Sequence, residues 1–180
     1  AAPDGTPASE DFFTSMLSEC AVGNILYSWN YAFNTVAFPG VADPSTIADF
    51  FDTATYPGKR AIYTSAMTNI EIALVADGVS ASAVYTVIEN QTGALDRAID
   101  KIEALCTDEN GGCVFWSTGA ESPELLASGE VVMATGWNGR FFNAIVKEAK
   151  RIQQVWDGQV LDYEYFVMVK GAPNQEEAME

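Results

Sequence analysis

The sequence predicts an α/β protein, a mixed sheet flanked by helices. Two observations carry that expectation. Short apolar runs bounded by turn formers alternate along the chain with segments of helical period. The two longest runs, residues 21–33 and 130–136, are apolar enough throughout to be strands covered on both faces. Such alternation gives a sheet with helices on each side. The 180 residues are 48% hydrophobic, enough for one sizeable core.

Taken in order, residues 1–8 read as a loop. Ser9 is placed to cap a short helix over 10–18, where Phe12, Phe13, Met16 and Leu17 recur at helical spacing. The aromatic run from Ala21 to Phe33 is a buried strand, and 34–43 a loop. Ser45, after Pro44, caps a helix that ends at Phe51-Asp52. Tyr56-Pro57-Gly58 turns the chain into a short strand, Arg60 to Tyr63. Helices follow over 67–77 and 82–89, separated by Gly78-Val79-Ser80.

The clearest helix is 92–105. Leu95, Ile99, Ile102 and Leu105 form its expected buried stripe, with Asp96, Arg97, Asp100, Lys101 and Glu103 facing water. Cys113 to Trp116 is a strand, and Ser122-Pro123-Glu124 opens a helix with proline in its first turn. After the strand 130–136 a helix runs over 140–150, burying Phe141, Phe142, Ile145, Val146 and Ala149. A short strand spans 152–156, Asp157-Gly158 is a turn, and a last strand covers 163–169. The chain opens on an unattached helix and stops inside a helical pattern, as a piece of a longer protein does.

Composition removes several functions. Twenty-five acidic residues against nine basic give a net charge of −16, which offers a nucleic acid no basic patch. Most of these carboxylates read as solvated surface. With no histidine in the chain, a Ser-His-Asp or Cys-His nucleophile has no base, and zinc loses its commonest nitrogen ligand. Neither a metal nor a cofactor is read from the sequence. Cys106 and Cys113 bracket the turn formers Thr-Asp-Glu-Asn-Gly-Gly, so they form a local disulfide in an oxidising compartment and two thiols in the cytosol. Cys20 is left over.

Three places carry candidate chemistry. Gly136-Trp137-Asn138-Gly139-Arg140 lies where a buried strand passes into a helix, the usual position of a ligand crevice in an α/β sheet. There Trp137 can stack on a ligand or hold a cation, and Arg140 at the helix start can meet a carboxylate or phosphate. The alternatives are a core tryptophan and a surface arginine. Asp162 and Glu164 lie two apart in the last strand and share a face, as counter-ions for an ammonium, as an acid–base pair, or as a solvated strand end. Glu71, near a helix start, reads first as a partner of the helix dipole.

Several segments together resemble one family, the spermidine/putrescine-type extracellular solute-binding proteins of bacterial ABC transporters. They run in order from Glu19-Cys20-Ala21-Val22-Gly23 through Ile47-Ala48-Asp49-Phe50-Phe51-Asp52, Tyr56-Pro57-Gly58-Lys59-Arg60-Ala61 and Glu71-Ile72-Ala73-Leu74-Val75-Ala76-Asp77-Gly78. Trp116-Ser117-Thr118-Gly119-Ala120, Leu126-Ala127-Ser128-Gly129-Glu130-Val131-Val132-Met133 and Gly136-Trp137-Asn138-Gly139-Arg140 follow. The last is Lys170-Gly171-Ala172-Pro173-Asn174 with Glu177-Ala178-Met179.

The resemblance implies the second lobe of a two-lobe, type II periplasmic binding protein-like fold. Residues 1–20 are the end of lobe one or a tail, 21–33 cross between lobes, 34–162 form lobe two, and 163–180 return with the start of a lobe-one helix. It further implies a periplasmic, non-catalytic protein that is monomeric when full-length. Such a protein captures a small amine such as putrescine or spermidine and delivers it to a membrane permease. Export fits a Cys106–Cys113 disulfide. Trp137 matches the family's stacking tryptophan and Glu164 an acidic ligand for an ammonium. Arg140 departs from the pattern, since one branch of the family is acidic there. The earlier acidic positions are taken by Ser65 and Thr68, with Glu71 one turn later. The same scaffold holding an anionic or zwitterionic solute through Arg140 is the alternative, ahead of a carboxylate-dependent enzyme using Asp162, Glu164 or Glu71.

Overall fold

A computed structural model describes residues 4–178. The chain forms two compact units, one of Ser28–Val160, the other of the residues up to Tyr27 together with those from Leu161 onward. The elements in order are α1 (Ala8–Asp11), β1 (Ala21–Asn34), α2 (Ile47–Phe51), β2 (Arg60–Tyr63), α3 (Asn69–Ala76), α4 (Val84–Asn90) and α5 (Ala94–Thr107). Then come β3 (Cys113–Trp116), α6 (Glu121–Ser128), β4 (Met133–Trp137), α7 (Asn138–Phe142), β5 (Ile152–Val167) and α8 (Gln175–Ala178). The sheet has the order β3-β2-β4-β1-β5, with β2 parallel to β3 and β4, and β1 antiparallel to β4. This is the mixed α/β sheet that the alternation of elements predicts.

Within the Ser28–Val160 unit, Tyr31 and Phe33 of β1, Ile62 of β2 and Met133 of β4 join Phe50, Ile72 and Leu105 from the helices in one core. Each such side chain contributes about 1.5–3 kcal/mol by leaving water. Arg60 sits inside this structure with its guanidinium fully buried. It donates to the carbonyls of Phe50 (2.9 Å), Gly58 (2.6 Å), Tyr56 (2.7 Å) and Asp52 (3.4 Å), so one side chain ties the whole 50–58 segment to β2. Loss of hydration, only partly offset by the nearby Asp52 carboxylate, brings its pKa down to about 10.

The structure corrects several sequence expectations, each for a local reason. The cap of α2 is Thr46, one residue beyond Ser45, because Thr46 and Asp49 form a reciprocal capping box. In α5 the buried face is shifted. Ala94, Ala98 and Leu105 are buried, whereas Leu95 and Ile99 are 47% and 51% exposed. Ala98 packs in a cluster with Ala73 and Leu74 of α3, so small side chains form the seam and the larger ones on the next row are left outside. After α7 the chain winds as a π-helix over Asn143–Lys147, with Glu148 N–H donating to Asn143 O. Of the expected buried set, Phe141 is buried together with Ala144, while Phe142, Val146 and Ala149 are exposed.

Asp157-Gly158 is not a turn but lies within β5. Asp157 Oδ2 accepts the Ile47 N–H at 2.8 Å and Gly158 abuts the Ile47 side chain, so the strand continues past them. In the other unit the expected helix over 10–18 is split. Glu10 and Asp11 N–H groups both donate to Pro7 O, Phe13 is extended (ψ 136°), and only a 3₁₀ turn, Thr14–Met16, follows. Met16 is buried there beside Gly23. Cys106 and Cys113 are bonded, joining the end of α5 to the start of β3. Cys20 is free and exposed.

Candidate functional site

The parallel strands β2, β3 and β4 all end at one edge of the Ser28–Val160 sheet, and each ends on an aromatic residue: Tyr63, Trp116 and Trp137. Register makes these meet. Tyr63 is the direct partner of Trp116 across β2 and β3, and Trp29 is the direct partner of Trp137 across β1 and β4. The two pairs close into a quartet. Trp29 lies 5.1 Å from Tyr63 and 5.9 Å from Trp116 between ring centroids, and Tyr63 lies 4.7 Å from Trp116. Trp137 meets Trp29 at 5.4 Å and Trp116 at 5.9 Å, edge-on to both, at 68° and 90°. Such edge-to-face pairs are worth about 0.5–1.5 kcal/mol each beyond area burial.

Trp29 and Trp116 are buried, whereas Trp137 and Tyr63 are half-buried, so these two rings form the outward part of the quartet. The indole N–H groups of all three tryptophans have no acceptor among the described residues. A buried donor left unpaired costs about 1–3 kcal/mol, so the packing of the quartet has a polar cost to offset. The turn beyond Trp137 is held by Asn138, whose side-chain oxygen accepts the Ser28 N–H at 3.1 Å. This keeps Trp137 in extended backbone (ψ 128°) as the chain enters α7. Arg140, exposed in α7, has its Nε 3.2 Å from where a β-carbon on Gly119 would stand, beside the Trp137 ring. No carboxylate among the described residues pairs with it.

The remaining candidates lie elsewhere. Glu71 is half-buried in the first turn of α3, with Oε1 3.4 Å from the Tyr85 hydroxyl and Oε2 unpartnered. Asp162 and Glu164 belong to the other unit. Asp162 is engaged, accepting the Tyr27 hydroxyl at 2.6 Å and the Tyr163 N–H at 2.8 Å. Glu164 is exposed, and Tyr163 and Tyr165 pair their rings at 6.2 Å. Behind the quartet a crevice of about 10 Å³, lined by Trp29, Asn30, Thr68, Asn69 and Thr135, is too small for any organic solute.

Sequence reasoning singled out Trp137 and Arg140 but missed Trp29, Tyr63 and Trp116. A signal was present for two of these: Tyr63 and Trp116 are each the last residue of a predicted strand, the same position that drew attention to the 136–140 motif.

The parallel strands thus end in a shelf of aromatic rings with the exposed Arg140 beside it. The family model described as "Bacterial extracellular solute-binding protein" matches residues 20–180, and the chain belongs to that family. Membership sets it in the periplasm, an oxidising compartment in which the Cys106–Cys113 bond persists. A gamma-aminobutyric acid-binding protein of Pseudomonas aeruginosa is 36% identical over 171 residues, 95% of this chain and 46% of the relative. The chain thus spans about half the length of that relative.

Among solved structures, the periplasmic binding protein MotA from A. tumefaciens B6, in complex with glucopine, superimposes with a TM-score of 0.82. It is 30% identical, over 95% of this chain and 51% of that one. A GABA receptor superimposes with a TM-score of 0.80 at 33% identity, over 95% and 50%. These relatives carry GABA and glucopine in their names, whereas the sequence motifs suggested the polyamine branch. The type II periplasmic binding protein fold is common to both.

Proposed function

We propose that this chain forms one wall of the solute-binding component of an ABC transporter, which captures a small amine-bearing solute and hands it to a membrane permease. In this reading residues 34–162 are lobe two, 21–33 and 163–169 are crossing strands, and the flanking residues belong to lobe one of a monomeric, non-catalytic protein. The observation that carries it is the half-exposed ring of Trp137 standing on the quartet with Arg140 beside it. An aromatic face holds an ammonium or apolar segment, and a guanidinium with no internal partner holds a carboxylate through paired charge-assisted hydrogen bonds.

That combination favours a zwitterion, an amino acid with separated charges such as GABA, over the putrescine or spermidine that the motifs first suggested. A diamine gains nothing from Arg140, and Asp162 already accepts two hydrogen bonds. Glu164, exposed, keeps the polyamine reading as the second one. Calorimetry on the full-length protein separates them. Arg140→Gln weakens GABA binding about tenfold or more, the worth of a hydrogen bond to a charged group, and leaves putrescine unaffected or improved. Unchanged GABA affinity with tight putrescine binding would reverse the assignment.

A further inference from the structure

The indole of Trp137 stands over Gly119, the third residue after β3. A β-carbon built on Gly119 would lie 2.2 Å from Cζ3 and 2.4 Å from Cε3 of that ring, and 3.2 Å from Nε of Arg140. Non-bonded carbons do not approach so closely, so no side chain at 119 coexists with the ring where it is. The backbone itself does not demand glycine, because φ at 119 is outside the left-handed region. What the position requires is the absence of a β-carbon.

The loop cannot simply withdraw. Gly119 is buried, and the carboxylate of Glu121 accepts the N–H groups of Ser117 (2.8 Å) and Thr118 (3.3 Å), fixing the two residues before it. Trp137 is further limited by its edge-on contacts with Trp29 and Trp116. The ring is thus in contact with a bare backbone at Gly119 and with two buried indoles.

We propose that Gly119 is a positioning residue that sets the place of the Trp137 ring and of the Arg140 side chain, an inference that rests on reading Trp137 as the solute platform. It makes the solute preference sensitive to a residue that offers the solute no side chain at all. A methyl group at 119 displaces both groups that the solute would meet, the stacking face and the cation, together.

The test compares Gly119→Ala, Trp137→Ala and the double variant in the full-length protein, by near-UV circular dichroism of the empty protein and by calorimetry with GABA. Gly119→Ala is expected to lose the same part of the aromatic signal as Trp137→Ala, with no further loss in the double variant. GABA affinity falls at least fivefold in Gly119→Ala, whereas adding that change to Trp137→Ala lowers it by clearly less than Gly119→Ala does alone, the remainder being the share that passes through Arg140. A wild-type spectrum for Gly119→Ala, or additive loss in the double variant, overturns the proposal. Should Gly119→Ala fail to fold, the double variant, lacking the ring to collide with, is expected to fold; failure of both also overturns it. If Trp137→Ala binds GABA like the wild type, the platform reading is wrong, and the spectra still decide whether Gly119 places the ring.

Discussion

Gly158 of β5 touches the side chain of Ile47, the first residue of α2: a β-carbon at 158 would fall 2.5 Å from Ile47 Cβ and 2.7 Å from Cγ2. The backbone at 158 is also left-handed, with φ of +69°. Beside it Asp157 accepts the Ile47 N–H, so strand and helix start are joined by a hydrogen bond and a close packing contact at adjacent positions.

Gly158→Ala is therefore expected to destabilise the protein by about 2–4 kcal/mol. Roughly 1 kcal/mol of this comes from the left-handed backbone and the rest from overpacking against Ile47. Chemical denaturation measures it. A loss below about 0.5 kcal/mol, the range of a surface change, would show that α2 can shift aside freely.

Trp137→Ala separates platform from core. The half-buried ring makes two edge-on contacts, so its removal should lower stability by about 1–3 kcal/mol, less than the roughly 3–5 of a fully buried aromatic. Solute affinity should drop five- to a hundredfold in the full-length protein. Melting curves and calorimetry on the same sample check both, and a large stability loss with unchanged affinity would make Trp137 a core residue only.

Reduction of Cys106–Cys113 should cost about 2–3 kcal/mol, since the bond closes a short loop with a sequence separation of 7. Denaturation with and without dithiothreitol measures the difference. Non-reducing peptide mapping should recover the 106–113 link and leave Cys20 unlinked; a Cys20–Cys106 peptide would contradict the structure.

Glu121 gives a pH dependence of known sign. Hydrogen bonds from Ser117 N–H, then from Thr118, hold its carboxyl below the usual value near 4.5. A depressed carboxylate contributes stability that is present above the unfolded value and is lost as pH falls through the lower folded value. The melting temperature of Glu121→Gln should thus lie below that of the wild type at pH 7, and the gap should close in acid. A gap that persists unchanged at pH 3 would mean that the charge plays no part in holding the Ser117–Thr118 loop.

How far the fold could be read depended on what each signal measures. Apolar runs located β1 to β4, because a strand covered on both faces must be apolar along its length, and Arg60–Tyr63 and Cys113–Trp116 fall where expected. Periodicity found α5 but chose the wrong row. Leu95 and Ile99 are the more hydrophobic residues, yet the approach to α3 is set by the small Ala98, and no property of α5 alone reveals that.

Asp157-Gly158 has turn composition, but its partner Ile47 is far away in sequence and turns it into a strand contact. Trp137 and Arg140 could be singled out from their place between glycines after a strand. The place of Trp29 could not, because it joins the quartet through antiparallel pairing with a segment more than a hundred residues later.

The strand β3 lies at the edge of the sheet, four residues long, with its first residue, Cys113, bonded to α5. Phe115 on it is exposed. An edge of this kind is a template for pairing between molecules, and the sulfur bond restrains its start against peeling from β2. Made in a reducing cytosol, the chain would lose that restraint while its edge stayed sticky, so the practical cost would be association into aggregates as well as easier melting. Secretion is in that sense part of how this protein stays dispersed.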